Sequence, residues 1–164
     1  MTNFVSFTEG GEVSHVDHLV FNLVDPAADT GSVTSLISKS LKGLATGVAA
    51  RFDSDPLIDY RAQRPLMNFR NGRLVGMRRD GIVLSHATDV EGHRFLHLNG
   101  TEPDFQWDAL LADILDVIER FGVTRTYSFT AVAATTPHTR PADMVVRQTV
   151  PDPGRVVLEA DFWF

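Results

Sequence analysis

His18-Leu19-Val20-Phe21-Asn22-Leu23-Val24-Asp25-Pro26-Ala27-Ala28-Asp29-Thr30-Gly31 is the stretch on which the reading of the fold turns. Its first seven residues are rich in β-formers and nearly continuous in apolarity, the pattern of a buried strand. Asp25 to Gly31 then form a polar, Pro- and Gly-bearing loop. Beyond it Val33, Leu36, Ile37, Ser40, Leu41 and Leu44 recur at helical spacing, with Asp29 or Thr30 as N-cap and Gly47 as the stop. A strand–loop–helix unit of this kind predicts an α/β fold. In open α/β sheets ligands bind in the crevice outside the carboxyl ends of the strands, so the loops there are where a site is sought.

Two more loops take the same position after a strand-like run. Phe95 to Leu98 leads into Gly100-Thr101-Glu102-Pro103-Asp104, and Thr126 to Ala134 leads into Thr136-Pro137-His138-Thr139-Arg140-Pro141. Between the second loop and the third strand, Trp107, Leu110, Leu111, Ile114, Ile118 and Phe121 spell an amphipathic helix closed by Gly122. Its first turn is acidic and its last carries Arg120, in keeping with the helix dipole. Val48 to Phe52 reads as a short strand. Leu66 to Leu98 reads as a β-meander punctuated by Asn71-Gly72, Asp80-Gly81 and Glu91-Gly92. Residues 1–15 read as a loosely held arm, and Met144 to Val150 and Arg155 to Phe164 as two last strands. No internal repeat or linker interrupts the chain.

With 164 residues, 43% apolar and 22% charged, the chain is expected to form one domain over 1–164. A net charge of −6 and a pI near 5.4 exclude a basic nucleic-acid-binding surface. The absence of cysteine excludes disulfides, a thiolate metal site and a cysteine nucleophile, and fits a cytoplasmic location. Met1-Thr2-Asn3-Phe4 lacks the basic opening of a secretory signal, and no apolar run approaches the ~20 residues of a membrane span.

Asp59-Tyr60-Arg61-Ala62-Gln63-Arg64-Pro65 completes the set of motifs. In order with Asp29-Thr30-Gly31, with Gly100 to Asp104 plus Trp107, and with Pro137 to Pro141, it makes the chain resemble the proteasome assembly chaperone 2 family, in particular its actinobacterial-type members. The resemblance runs from about Leu19 to Pro141. It implies a three-layer α/β domain, a mixed sheet flanked by helices, similar to nucleoside-phosphorylase-like folds. It also implies homo-oligomers and kinship with chaperones that help to build 20S proteasomes. Members of this type are longer, and only 23 residues follow Pro141 here, so a short or truncated member is expected. Pro26-Ala27-Ala28 also stands where the family carries Gly and an aromatic.

Each candidate residue carries a structural alternative. Asp29 is a ligand-binding carboxylate or a helix cap; as a ligand group beside Asp25 it favours an amine, a sugar hydroxyl or a cation over a phosphate. Glu102, held between Gly100 and Pro103, suits a general base or a hydroxyl acceptor, or else a cap on the Trp107 helix. Asp104 reads as a cap on the same helix. His138 and Arg140 can hold a carboxylate or phosphate together, or Arg140 can pair internally with Glu102 or Asp29.

Asp59, Arg61 and Arg64 can form bidentate pairs with a neighbouring subunit or lie on a solvated loop. Phe162-Trp163-Phe164 is a last strand or an oligomer contact. The resemblance adds a third possibility, because relatives insert a C-terminal hydrophobic-Tyr-any tripeptide into the proteasome α-ring; here Trp163 replaces the tyrosine. His86, Asp89, His93 and His97 meet no zinc spacing, and no metal or cofactor is expected. Neither Gly-x-Ser-x-Gly nor Gly-x-x-x-x-Gly-Lys occurs.

The leading expectation is therefore a self-associating domain without enzymatic activity that acts by protein–protein contact, with itself and with 20S proteasome subunits as partners. The alternative is a binder or a hydrolase- or phosphorylase-like enzyme for a nucleoside-like or carboxylate ligand, using Glu102, His138 and Arg140.

Overall fold

A computed structural model describes residues 4–8, 15–25, 28–78, 81–131, 135 and 139–140. The chain divides into two compact units, Met1–Val132 and Ala133–Phe164. In the first, a six-stranded mixed sheet runs in the order β1-β3-β6-β7-β2-β8. Its strands are β1 (Val5–Phe7), β2 (His18–Val24), β3 (Ala45–Phe52), β6 (Val83–Thr88), β7 (Arg94–Thr101) and β8 (Arg125–Ser128). Helix α1 (Val33–Lys42) follows β2, and helix α2 (Trp107–Phe121) links β7 to β8. A separate two-stranded hairpin is made of β4 (Leu66–Arg70) and β5 (Arg73–Arg78).

The parallel half of the sheet is β7-β2-β8, as the strand–helix–strand crossovers require, and β1, β3 and β6 are antiparallel to their neighbours. Pairing of Leu19 with Leu96 and of Leu98 with Leu84 places the largest apolar side chains on one face. There they form the core with Leu110, Val117 and Phe121 of α2. The opposite face is different in kind. Val20 lies beside His97 and Asn22 beside Asn99, and Ser85 pairs with His97 from the other side. Asn22, Ser85, His97 and Asn99 are all buried, and α1 brings Thr34 and Ser38 to the interior as well.

That inversion corrects the expectation for α1. The apolar spacing predicted an inward stripe, yet Val33 and Leu36 are exposed while two small hydroxyl residues are buried. The helix also ends earlier, at Gly43, whose N–H bonds to the Ser40 carbonyl, and Gly47 lies inside β3. By contrast α2 follows its expected bounds, with Gly122 at φ 65° closing it in the left-handed conformation that glycine adopts without strain.

The expected meander is split. Asn71 and Gly72, at φ 51° and 74°, make the tight turn between β4 and β5. The β6–β7 turn is held by the Asp89 carboxylate, which accepts the N–H groups of Glu91 and His93 at 2.9 and 2.8 Å. Between these two hairpins β5 does not pair with β6, because β6 is already flanked by β3 and β7. The amino-terminal arm is partly strand: β1 pairs with β3 because buried Asp113 on α2 accepts the Phe4 and Val5 N–H groups at 2.7 and 3.2 Å. The strands expected at 144–150 and 155–164 lie outside the described residues.

Candidate functional site

At the carboxyl ends of the parallel strands the first two loops emerge side by side. Val24 is in register with Thr101, and the Glu102 N–H donates to the Val24 carbonyl at 3.0 Å, extending the ladder into the loops. This brings Asp25, Asp29, Glu102 and Asp104 to one edge of the sheet.

Asp29 precedes a single 3-10 turn, Thr30–Ser32, which ends with Gly31 and Ser32 at φ 65° and 57°. The left-handed turn folds the chain back, so that the Asp29 carboxylate faces the first turn of α1. It accepts N–H groups from Thr34 at 2.8 Å and Ser35 at 3.0 Å, and the Ser35 hydroxyl at 2.6 Å. The Ser35 hydroxyl, with the backbone bonds behind it, holds the Asp29 carboxyl below its ordinary pKa. Its geometry is that of a helix cap on the N2 and N3 amides of α1, made from five and six residues upstream because the 3-10 turn intervenes.

Asp104 serves a different loop. Its Oδ2 accepts the Asp59 N–H at 2.7 Å and the Gln63 side-chain amide at 3.0 Å, while the Asp104 and Phe105 N–H groups donate to the Leu57 carbonyl. Gln63 also donates to the Glu102 carbonyl at 3.3 Å. Asp59 turns on its own segment, accepting the Arg61 N–H at 2.9 Å with the Arg61 guanidinium 3.5 Å away. The Arg61 N–H, more than its charge, holds the Asp59 carboxyl below the usual range. The motif from Asp59 to Pro65 and the loop from Gly100 to Asp104 are therefore stitched together, with Arg61 and Arg64 exposed. Neither Glu102 nor Asp104 caps α2; Gln106, at φ 57°, occupies the cap position without a side-chain bond, its amide donating instead to the Pro56 carbonyl.

Glu102 is the crevice carboxylate that departs upward. Partial burial, and then repulsion from Asp25, raise its pKa above the ordinary glutamate value. A carboxyl so placed holds its proton to higher pH than an ordinary glutamate. Gly100 just before it approaches another backbone: a Cβ there would fall 2.6 Å from the Gly81 carbonyl oxygen. His138 and Phe162 to Phe164 lie outside the described residues, and Arg140 is an exposed residue of the second unit.

The sequence did not point to a second concave feature. A groove of about 510 Å³ opens on the α1 side of the sheet, at the amino-terminal ends of β2 and β7, walled by Val20, Ile37, Leu41, Phe95, Tyr127 and Phe129. It lies at the opposite end of the parallel strands from Asp25 and Glu102. The histidines considered for metal binding are dispersed. His86 packs edge-on to Phe121 on the α2 face, His97 is buried on the α1 face, and His93 pairs with Asp89 at 3.1 Å. Among the described residues no group of three potential ligands converges, and no helix is long and apolar enough to cross a membrane.

Fold and crevice define an α/β domain with a mixed sheet whose carboxyl-end loops are tied together through carboxylates and backbone amides. The model of the PAC2 family matches residues 23–159, and the chain belongs to that family. Among solved structures it is similar to a Mycobacterium tuberculosis protein of unknown function, at 29% identity and a TM-score of 0.77, covering 86% of this chain and 51% of that one. It is similar at 29% identity and a TM-score of 0.76 to a Corynebacterium glutamicum protein of unknown function, covering 85% and 54% respectively. A proteasome-assembly chaperone homologue from M. tuberculosis shares the fold at 22% identity and a TM-score of 0.68, with 76% and 53% covered. The chain thus spans about half the length of these structures. Comparison with curated proteins finds no match.

Proposed function

We propose that the chain is a non-enzymatic, self-associating domain that works as a proteasome assembly chaperone by protein–protein contact, with 20S proteasome subunits as partners in the cytoplasm. The observation that carries this reading is the use made of the crevice carboxylates. Asp29, Asp59 and Asp104 each accept a backbone N–H, so the motif residues serve loop architecture rather than leaving a row of unengaged acids for chemistry. Membership of the PAC2 family and the fold shared with a chaperone homologue support the same reading. On it, residues 1–164 act as one functional domain of three-layer, nucleoside-phosphorylase-like type, without a cofactor or a nucleic-acid partner. Asp59, Arg61, Arg64 and Phe162 to Phe164 are then its contact residues. The test is a tagged chain used as bait in the lysate of an actinobacterium that holds a 20S proteasome. Co-purification of α or β subunits is expected, and their absence at stoichiometric bait would sink the proposal.

One observation favours a second reading, a binder or enzyme for a nucleoside-like or carboxylate ligand: the raised pKa of Glu102 beside Asp25. There Glu102 accepts a ligand hydroxyl or proton, Asp29 lines the crevice, and His138 and Arg140 hold an anion. Glu102→Gln and Arg140→Ala that keep the native circular dichroism but abolish ligand binding would establish it over the first.

A further inference from the structure

We propose that the β4–β5 hairpin is a peripheral membrane contact that lies flat on an anionic lipid surface, its apolar face in the acyl boundary and its arginines among the phosphates. Side chains alternate between the two faces of a strand, so the register sorts them. Met67 lies opposite Met77 and Phe69 opposite Leu74, and these pairs share one face. The other pairs, Leu66 with Arg78, Asn68 with Gly76 and Arg70 with Arg73, share the opposite face. Met67, Phe69, Leu74 and Met77 are between 50% and 63% exposed, and Arg70, Arg73 and Arg78 are exposed as well. Among the described residues the two strands pair only with each other. A hairpin alone is at best marginally stable in water, and an exposed apolar face of this kind marks an interaction site.

The two faces together select the partner. A protein surface laid on the apolar face would leave the arginines behind the hairpin with no part in the contact. One that took the arginines would leave the apolar face in water. A lipid interface takes both at once, because its polarity changes with depth. An amphipathic element lies in its plane with the apolar side sunk ~5–10 Å into the headgroup–acyl boundary and the cationic side among the headgroups. Arginine suits the second role, since its stem lies along apolar surface while the guanidinium grips phosphate oxygens bidentately.

The sign of the lipid charge follows from the sequence. Residues 64–79 carry Arg64, Arg70, Arg73, Arg78 and Arg79 and no acidic residue, whereas the rest of the chain holds ten basic against 21 acidic residues. A basic segment is drawn to anionic headgroups within about a Debye length, and the acidic remainder of the chain is repelled by the same surface. The contact is thereby confined to the hairpin, reversible and sensitive to salt.

The test is co-sedimentation of the full chain with vesicles of phosphatidylcholine alone, or of phosphatidylcholine mixed with phosphatidylglycerol, at low and high salt. Circular dichroism checks folding, and light scattering after size exclusion gives the mass. Wild type is expected to pellet with the phosphatidylglycerol vesicles, less so as salt rises, and to stay in solution with phosphatidylcholine alone. Arg70→Glu with Arg73→Glu, and separately Met67→Ser with Phe69→Ser, are each expected to weaken that binding roughly tenfold or more. Arg70→Lys with Arg73→Lys keeps the charge and is expected to keep most of the binding. A wild type that ignores phosphatidylglycerol, that binds both kinds of vesicle equally, or whose binding survives both pairs of disruptive substitutions overturns the proposal. So does a wild-type oligomer that Met67→Ser with Phe69→Ser converts to monomers, because the apolar face then belongs to a second copy.

Discussion

The Asp113 carboxylate on α2 accepts the Phe4 N–H at 2.7 Å across 109 positions of sequence, and the same oxygen accepts the Val5 N–H at 3.2 Å. A carboxyl oxygen buried on a helix thereby anchors the outermost strand of the sheet, and Phe4 itself enters the core. Asp113→Ala leaves two donors without their partner. The expected loss is about 1–3 kcal/mol, the scale of leaving a buried donor unsatisfied. Urea denaturation measures it, and faster amide exchange at Phe4 and Val5 should accompany it.

His97 is wholly buried, and neither ring nitrogen has a hydrogen-bond partner. Burial, and then the Lys42 charge, push its pKa down to about 4. The unfolded chain, with an ordinary histidine near 6.5, binds the proton first as pH falls. Stability is therefore full above about pH 6.5 and declines toward pH 4. Two and a half units correspond to about 3 kcal/mol. His86, lowered by burial and then by Arg94, acts in the same direction. His97→Leu should flatten the profile of denaturation midpoints between pH 7 and 4.5; an unchanged slope would assign it elsewhere.

Gly100 cannot acquire a side chain cheaply. The added methyl would meet the Gly81 carbonyl oxygen at 2.6 Å and the Ile82 Cα at 2.7 Å, both backbone atoms that cannot swing aside. Gly100→Ala is expected to cost about 1–3 kcal/mol by overpacking, with the loss read by thermal denaturation. A variant as stable as wild type would show that β6 and β7 separate freely.

Asp29→Ala removes three hydrogen bonds from the start of α1. Its melting temperature should fall. The difference from wild type should shrink in acid, because a carboxyl with a lowered folded pKa contributes above its unfolded pKa and loses that contribution as pH falls through the folded one. Asp29→Asn should recover part of the loss, since its amide oxygen still accepts one N–H.

Glu102 has the opposite sign. Its folded pKa is raised, so the folded state gains stability as pH falls and is strained by the charge at neutrality. Glu102→Gln should raise the melting temperature at pH 7 and lose that advantage near pH 4. A neutral-pH destabilisation would mean that the ionised carboxylate has a partner that matters more than its repulsion from Asp25.

Local pattern was readable where one rule acted alone. The seven-residue, largely apolar run before Asp25, the amphipathic run closed by Gly122 and the Asn71-Gly72 turn all appear as expected, because each depends on neighbours a few residues away. The ordered motifs from Asp29 to Asp104 placed the chain in its family for the same reason. The roles of those residues were not readable. Whether Asp104 caps α2 or ties down the Asp59 segment depends on a contact 45 positions distant, and whether Asp29 caps a helix depends on an intervening left-handed turn.

Element type, the edge of the sheet at which Asp25 and Glu102 gather, and the acidity of the whole chain follow from composition and spacing, since backbone sterics and side-chain periodicity are local and charge is additive. Two outcomes required packing. The sheet buries leucines under α2 and hydroxyls, amides and an imidazole under α1, so Val33 and Leu36 of α1 face outward against their periodicity while Ile37 and Leu41 stay half-buried. And β6 had to choose between β5 and its other neighbours: pairing with β3 and β7 satisfied both its edges and left β4–β5 standing apart with its methionines, leucines and arginines exposed. A strand has only two edges, and which partners fill them is settled by the burial of the sheet as a whole.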